Sequence, residues 1–72
     1  MAKSITLSRR EMQVLLLICK EVPPSEIGKR LKLSEKTVQN HRANIKAKTK
    51  ARTNVGLYKY ALQKGYVKIK LK

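Results

Sequence analysis

SEKTVQNHRANIKAKTK, residues 34–50, is the stretch that decides how this chain is read. Ser34 has a side chain suited to accept hydrogen bonds from the free N–H groups of a first helical turn. No Gly or Pro interrupts the residues that follow, so a helix of about four turns is expected over 34–49. At about 100° per residue, Val38, Ile45 and Thr49 share one side, with His41 and Arg42 at its borders. The opposite side carries Lys36, Gln39, Asn40, Ala43, Lys46, Ala47 and Lys50. That face mixes cations, amides able to make two hydrogen bonds, and small residues that permit close approach. It has no acid after Glu35, whereas a merely solvated face usually mixes Glu with Lys. Two readings fit: a helix lying in a DNA major groove, with amides on base edges and cations on phosphates, or an ordinary basic surface helix.

The flanking residues build a second helix directly onto this one. Pro23-Pro24 breaks the chain, and Pro24 suits a first helical position because its missing N–H has no partner there anyway. Ser25 and Glu26 favour the positive helix end. Ile27 and Leu31 mark the buried side of a helix over 24–31. Gly28, in its middle, costs about 1 kcal/mol relative to Ala and implies a close helix crossing, with neutral drift as the bland alternative. Lys32-Leu33 leaves almost no linker before Ser34, with Leu33 as the apolar plug of the turn. Two helices joined so tightly cross steeply, as in a helix-turn-helix. In that motif the N-terminal part of the second helix contacts bases, and Gln39 and Asn40 lie there.

Towards the N-terminus, Leu7-Ser8-Arg9-Arg10-Glu11-Met12 has the S-x-x-E spacing of a capping box, with Leu7 and Met12 placed for a hydrophobic staple. A helix over 9–20 is expected, with Met12, Leu15, Leu16 and Cys19, joined by Val14 and Ile18, as its apolar face. Towards the C-terminus, Thr53 suits the N-cap of a fourth helix over 54–64, with Leu57, Tyr58, Ala61 and Leu62 inward and Gly65 ending it. Tyr66 and Val67 can fold back onto the core. Lys68-Ile69-Lys70-Leu71-Lys72 is read as a mobile basic tail rather than an edge strand. The expectation is one all-α domain over 1–72, a four-helix bundle-like fold containing a helix-turn-helix.

Composition narrows the partner. The 72 residues carry a formal net charge of +14, a self-repulsion that points to a polyanion. Nine of the cations, Lys29, Arg30, Lys32, Lys36, Arg42, Lys46, Lys48, Lys50 and Arg52, fall in 29–52, where Glu35 is the sole acid. A membrane-surface binder would need an apolar helix face left over from the core, and the long helix is too polar. The longest apolar run, Val14 to Cys19, is too short to cross a bilayer. The N-terminus has no signal-peptide pattern, which makes the cytoplasm the expected location. Cys19, alone, forms no internal disulfide and reads as a small core residue rather than a reactive thiol. His41, the lone histidine, has no ligand set around it and reads as a packing or hydrogen-bonding residue. No nucleophile–base pair, metal cluster or phosphate-cradling glycine loop is present, so neither an enzyme nor a cofactor or metal site is expected.

These residues together resemble the LuxR/FixJ-type DNA-binding domain found at the C-terminus of many bacterial response regulators and quorum-sensing regulators. The markers are Leu7-Ser8-Arg9-Arg10-Glu11 with Val14-Leu15, Glu26-Ile27, Leu31-Lys32-Leu33-Ser34, Thr37-Val38 with His41-Arg42, Asn44-Ile45 with Lys48, and Tyr60-Ala61 with Gly65. The likeness spans about Leu7 to Val67. It departs at Glu21, where glycine is usual, at Gly28, where alanine is, at Thr49-Lys50, where Leu-Gly is common, and at Asn54, where arginine is. The resemblance implies a transcription regulator that binds duplex DNA as a dimer, with helix 34–49 in the major groove. Gln39, Asn40 and Ala43 would face bases. Lys36, Thr37, Lys46 and Lys50 would meet phosphates, and Lys48 would serve phosphate or structure. The fourth helix, through Tyr60 and Lys64, would carry a homodimer contact, and RNA polymerase is a candidate protein contact. Nonspecific nucleic-acid binding by a basic module is the alternative. The sequence leaves open whether the chain is a stand-alone regulator or a piece of a larger one.

Overall fold

The computed structural model describes residues 7–67, and the basic tail read from the sequence lies outside that range. Four helices follow one another: α1 (Arg9–Cys19), α2 (Pro24–Leu31), α3 (Glu35–Thr49) and α4 (Asn54–Gln63). Each begins or ends within about one residue of its expected limit.

Local chemistry explains the boundaries. Ser8 and Glu11 form the capping box in both directions: Glu11 N–H donates to Ser8 Oγ at 3.1 Å, and Ser8 N–H donates to Glu11 Oε1 at 2.9 Å. Ser34 and Thr53 cap α3 and α4 through their hydroxyls, each accepting at 3.1 Å. Three helix ends close the same way. The N–H of Val22, Leu33 and Tyr66 donates back to the carbonyl five residues earlier, on Leu17, Gly28 and Ala61. The residue before each donor is left-handed: Glu21 (φ 61), Lys32 (φ 59) and Gly65 (φ 77). This is the Schellman closure, in which glycine is the unstrained choice. Only α4 uses it.

The core consists of Val14, Leu15, Ile18, Ile27, Val38, Ile45, Leu57 and Ala61. Leu7, Met12, Leu33, Tyr60 and Val67 pack around it. Two helix faces differ from expectation. On α1 the buried stripe runs Glu11, Val14, Leu15, Ile18, a spacing of i, i+3, i+4, i+7 that turns Leu16 to its margin. On α4, Tyr60 packs on the core while Tyr58 does not. In both, the stripe centres on a residue that apolarity alone ranked lower.

Gly28 sets the geometry of the pair α2–α3. A Cβ placed there would lie 2.6 Å from the Leu33 carbonyl oxygen, well inside contact distance. The missing side chain therefore lets the turn fold directly over α2. The close helix crossing expected at Gly28 is instead a close approach of the turn backbone at Leu33.

Candidate nucleic-acid interface

The core fixes which way α3 faces. Val38 and Ile45, seven residues apart, are buried, so the helix presents the residues about 180° away to solvent. Lys36, Asn40, Ala43, Ala47 and Lys50 are exposed, and Gln39 and Lys46 are half-buried on one flank. Among the described residues no hydrogen bond or ion pair ties up the side chains of Lys36, Gln39, Asn40, Lys46 or Lys50. Two amides and three ammonium groups thus share one continuous surface, with Ala43 and Ala47 forming a low strip along it. Amides supply paired donors and acceptors, cations supply charge for phosphate, and alanines permit approach.

Two of the residues matched to phosphate lie elsewhere. Thr37 is half-buried, and its hydroxyl accepts a hydrogen bond from Ser34 Oγ at 2.9 Å. Lys48 stands on the flank of His41, about two turns further along the helix. Its ammonium donates to Glu11 Oε1 at 2.7 Å, with 42% of its side chain exposed. Glu11 itself is 5% exposed. Hydrogen bonds from Lys48 and from Ser8 N–H hold its carboxyl below the ordinary value of 4.5 against the opposing effect of burial. Sequence reading placed Glu11 as a capping residue and missed its second partner. The signal was available, because Glu11 shares the stripe of Val14, Leu15 and Ile18.

On α4 the two residues matched to a dimer contact differ. Lys64 is exposed and stands 5.8 Å from the centre of the Tyr60 ring. Tyr60 is half-buried, meets Tyr66 edge-on at 6.2 Å, and buries its hydroxyl. Burial pushes its phenol pKa up. The large apolar residue that α4 exposes is Val55, at 65%. Its position two residues before Leu57 turns it away from the core, a signal the helical period carried and the reading missed.

A groove of about 520 Å³ opens between the end of α1, the start of α2, the middle of α3 and the start of α4, lined by Cys19, Val22, Pro24, Arg42, Val55 and Tyr58 among others. None of the residues matched to DNA lines it. Burial raises the Cys19 thiol pKa, in keeping with a packing role. His41 is half-buried. No helix among the described residues is long and apolar enough to cross a membrane.

Four helices, with a short helix braced across a longer one and a cationic, amide-bearing outer face, define a helix-turn-helix domain of the DNA-binding class. The family model "Bacterial regulatory proteins, luxR family" matches residues 5–61, most of the chain. The chain belongs to that family, one of DNA-binding transcription regulators and not of enzymes. It is 42% identical over 65 residues to the transcriptional regulatory protein FixJ of Rhizobium meliloti, covering 90% of this chain and 32% of that protein. It is 40% identical over 58 residues to the oxygen regulatory protein NreC of Staphylococcus carnosus, covering 81% of this chain and 27% of that protein. The chain thus spans a third or less of the length of these relatives. No solved structure gives a significant match.

Proposed function

We propose that this chain binds duplex DNA sequence-specifically, in the cytoplasm, as the DNA-reading part of a bacterial transcription regulator. α3 enters the major groove. Gln39 and Asn40 read base edges, and Ala43 meets a thymine methyl or lets the backbone approach. Lys36, Lys46 and Lys50 contact phosphates from the outer face, and Thr37, whose hydroxyl accepts from Ser34 but keeps its own O–H, donates to one from the first turn. Lys48 keeps two donors beyond its bond to Glu11 and can reach a phosphate as well. The observation that supports this best is the outer face of α3, where amides and cations stand side by side without internal partners. Two α4 helices, through Val55 and the Tyr60–Lys64 surface, join two copies on DNA. RNA polymerase is the protein partner to test.

Selection of duplex DNA from a random pool at physiological salt tests the reading. An enriched inverted repeat with half-sites about one helical turn apart is expected. Asn40→Ala should then weaken the selected site by about 1–3 kcal/mol and leave random duplex nearly unchanged. Lys46→Ala should weaken both and lower the salt slope by about 1. Tight, salt-sensitive binding with no enriched motif would leave only the nonspecific alternative.

A further inference from the structure

We propose that Glu11 is a positioning residue for the DNA-binding surface: from α1 it fixes where the last turn of α3 lies. This rests on the reading of α3 as the DNA-facing helix. The Glu11–Lys48 bond at 2.7 Å is, among the described residues, the one side-chain hydrogen bond that joins two helices. Its α1 end is rigid. The capping box holds Glu11 on both its backbone and its carboxylate, and Ser8 N–H and Lys48 Nζ share the same oxygen, Oε1. The carboxylate therefore cannot follow a wandering lysine, and the lysine is held instead.

α3 needs such a tether. It is 15 residues long, or about 22 Å at about 1.5 Å per residue. Its buried apolar anchors are Val38 and Ile45, and its N-terminal end is fixed by the turn folded over Gly28. Beyond Ile45, Thr49 turns its hydroxyl back to the Ile45 carbonyl of the same helix at 2.8 Å. Lys48 is thus the polar link from the last turn to the rest of the domain. Without it, α3 swings about its fixed end. Displacement then grows from Asn40 through Ala43 to Lys46 and Lys50. Recognition tolerates only about 0.5 Å of such error.

The test compares binding of the full chain to the duplex selected above and to random duplex, at a temperature where circular dichroism shows every variant folded. Glu11→Ala adds net positive charge, which by itself strengthens binding to any DNA. The positioning role predicts a roughly tenfold fall in the ratio of specific to random affinity, comparable to losing one base contact. Lys48→Met keeps the capping box and should lower the ratio similarly, whereas Lys48→Arg, which can still reach Glu11, should restore most of it. Amide exchange in the DNA-free variants should quicken over 46–50 more than over 38–42. An unchanged ratio in folded Glu11→Ala and Lys48→Met overturns the proposal, as does unchanged exchange over 46–50. A lower salt slope for Lys48→Met at constant ratio would instead make Lys48 a plain phosphate contact. If the unmodified chain itself shows no preference, the sequence-specific reading fails, and exchange alone still decides whether Glu11 holds the turn.

Discussion

The two ends of α3 are held by different physics. Its N-terminal end is fixed by an absence: at Gly28 no side chain exists, and the turn's own carbonyl occupies the space at 2.6 Å from where a Cβ would sit. Its C-terminal end, beyond the buried Ile45 and next to the core-packed Ala51, is tied by a charge pair 37 residues apart in sequence. The first device is steric and indifferent to pH and salt. The second depends on a carboxylate staying ionised. α3 is therefore held sterically at one end and electrostatically at the other.

The steric end should break hardest. Gly28→Val puts three carbons into space bordered by backbone and adds a β-branched residue to α2. Overpacking of this kind costs about 3 kcal/mol. A domain of this size has only about 4–10 kcal/mol in total, so a drop in melting temperature of roughly 10–20 °C is expected. Gly28→Ala should cost less, because it adds only the Cβ, but that Cβ still meets the Leu33 carbonyl oxygen at 2.6 Å, and about 1 kcal/mol of helix propensity offsets only part of the clash. A near-neutral Gly28→Val would show that the turn yields and that the N-terminal end is not sterically fixed.

At the electrostatic end, Glu11→Ala removes half a capping box and one charge-assisted hydrogen bond, about 2 kcal/mol together. Urea denaturation at neutral pH reads this directly. The pH dependence follows from the direction of the shift. The folded carboxyl titrates below 4.5, the ordinary value, held there by Lys48 and then by Ser8 N–H. Its contribution is therefore fully present above about pH 4.5 and is lost as pH falls through the lower, folded value. The stability gap between the unmodified chain and Glu11→Gln should shrink on acidification from pH 6 to 3. A gap that stays constant would mean that the charge contributes nothing and that the C-terminal end, too, is held by packing.

The difference between the two ends also explains what the sequence made legible. Local signals were clear: Ser8 with Glu11, Pro24, Ser34, Thr53 and Gly65 marked helix limits to within about one residue, because each acts through backbone groups three to five positions away. The inner and outer faces of α3 were readable from Val38 and Ile45 for the same reason. What lay hidden joins residues distant in sequence. Lys48 reads as one more cation in a basic stretch until α1 is placed beside it. Tyr60 reads as surface until Tyr66 and Val67 fold back. Val55 and Glu11 were recoverable from helical period alone, but hydrophobicity outweighed spacing in the reading.

The smallest predicted effects concern left-handed residues, and they separate backbone strain from charge. A non-glycine residue at positive φ costs about 1 kcal/mol. Gly65→Ala calibrates that cost, since nothing lies within 4 Å of the added Cβ. Glu21→Gly should raise stability by about 1 kcal/mol or slightly more, because it also removes an anion from the negative end of α1. Lys50→Gly, at φ 61 just past α3, relieves the same strain but loses a cation well placed at a helix C-terminus, worth about 0.3–0.5 kcal/mol. Its net gain should be near 0.5 kcal/mol. The same change should weaken DNA binding and lower the salt slope by about 1. Stability and affinity then move in opposite directions, as expected where a strained cation serves a contact outside the chain. If Lys50→Gly stabilises by as much as Glu21→Gly and leaves affinity untouched, Lys50 takes no part in binding.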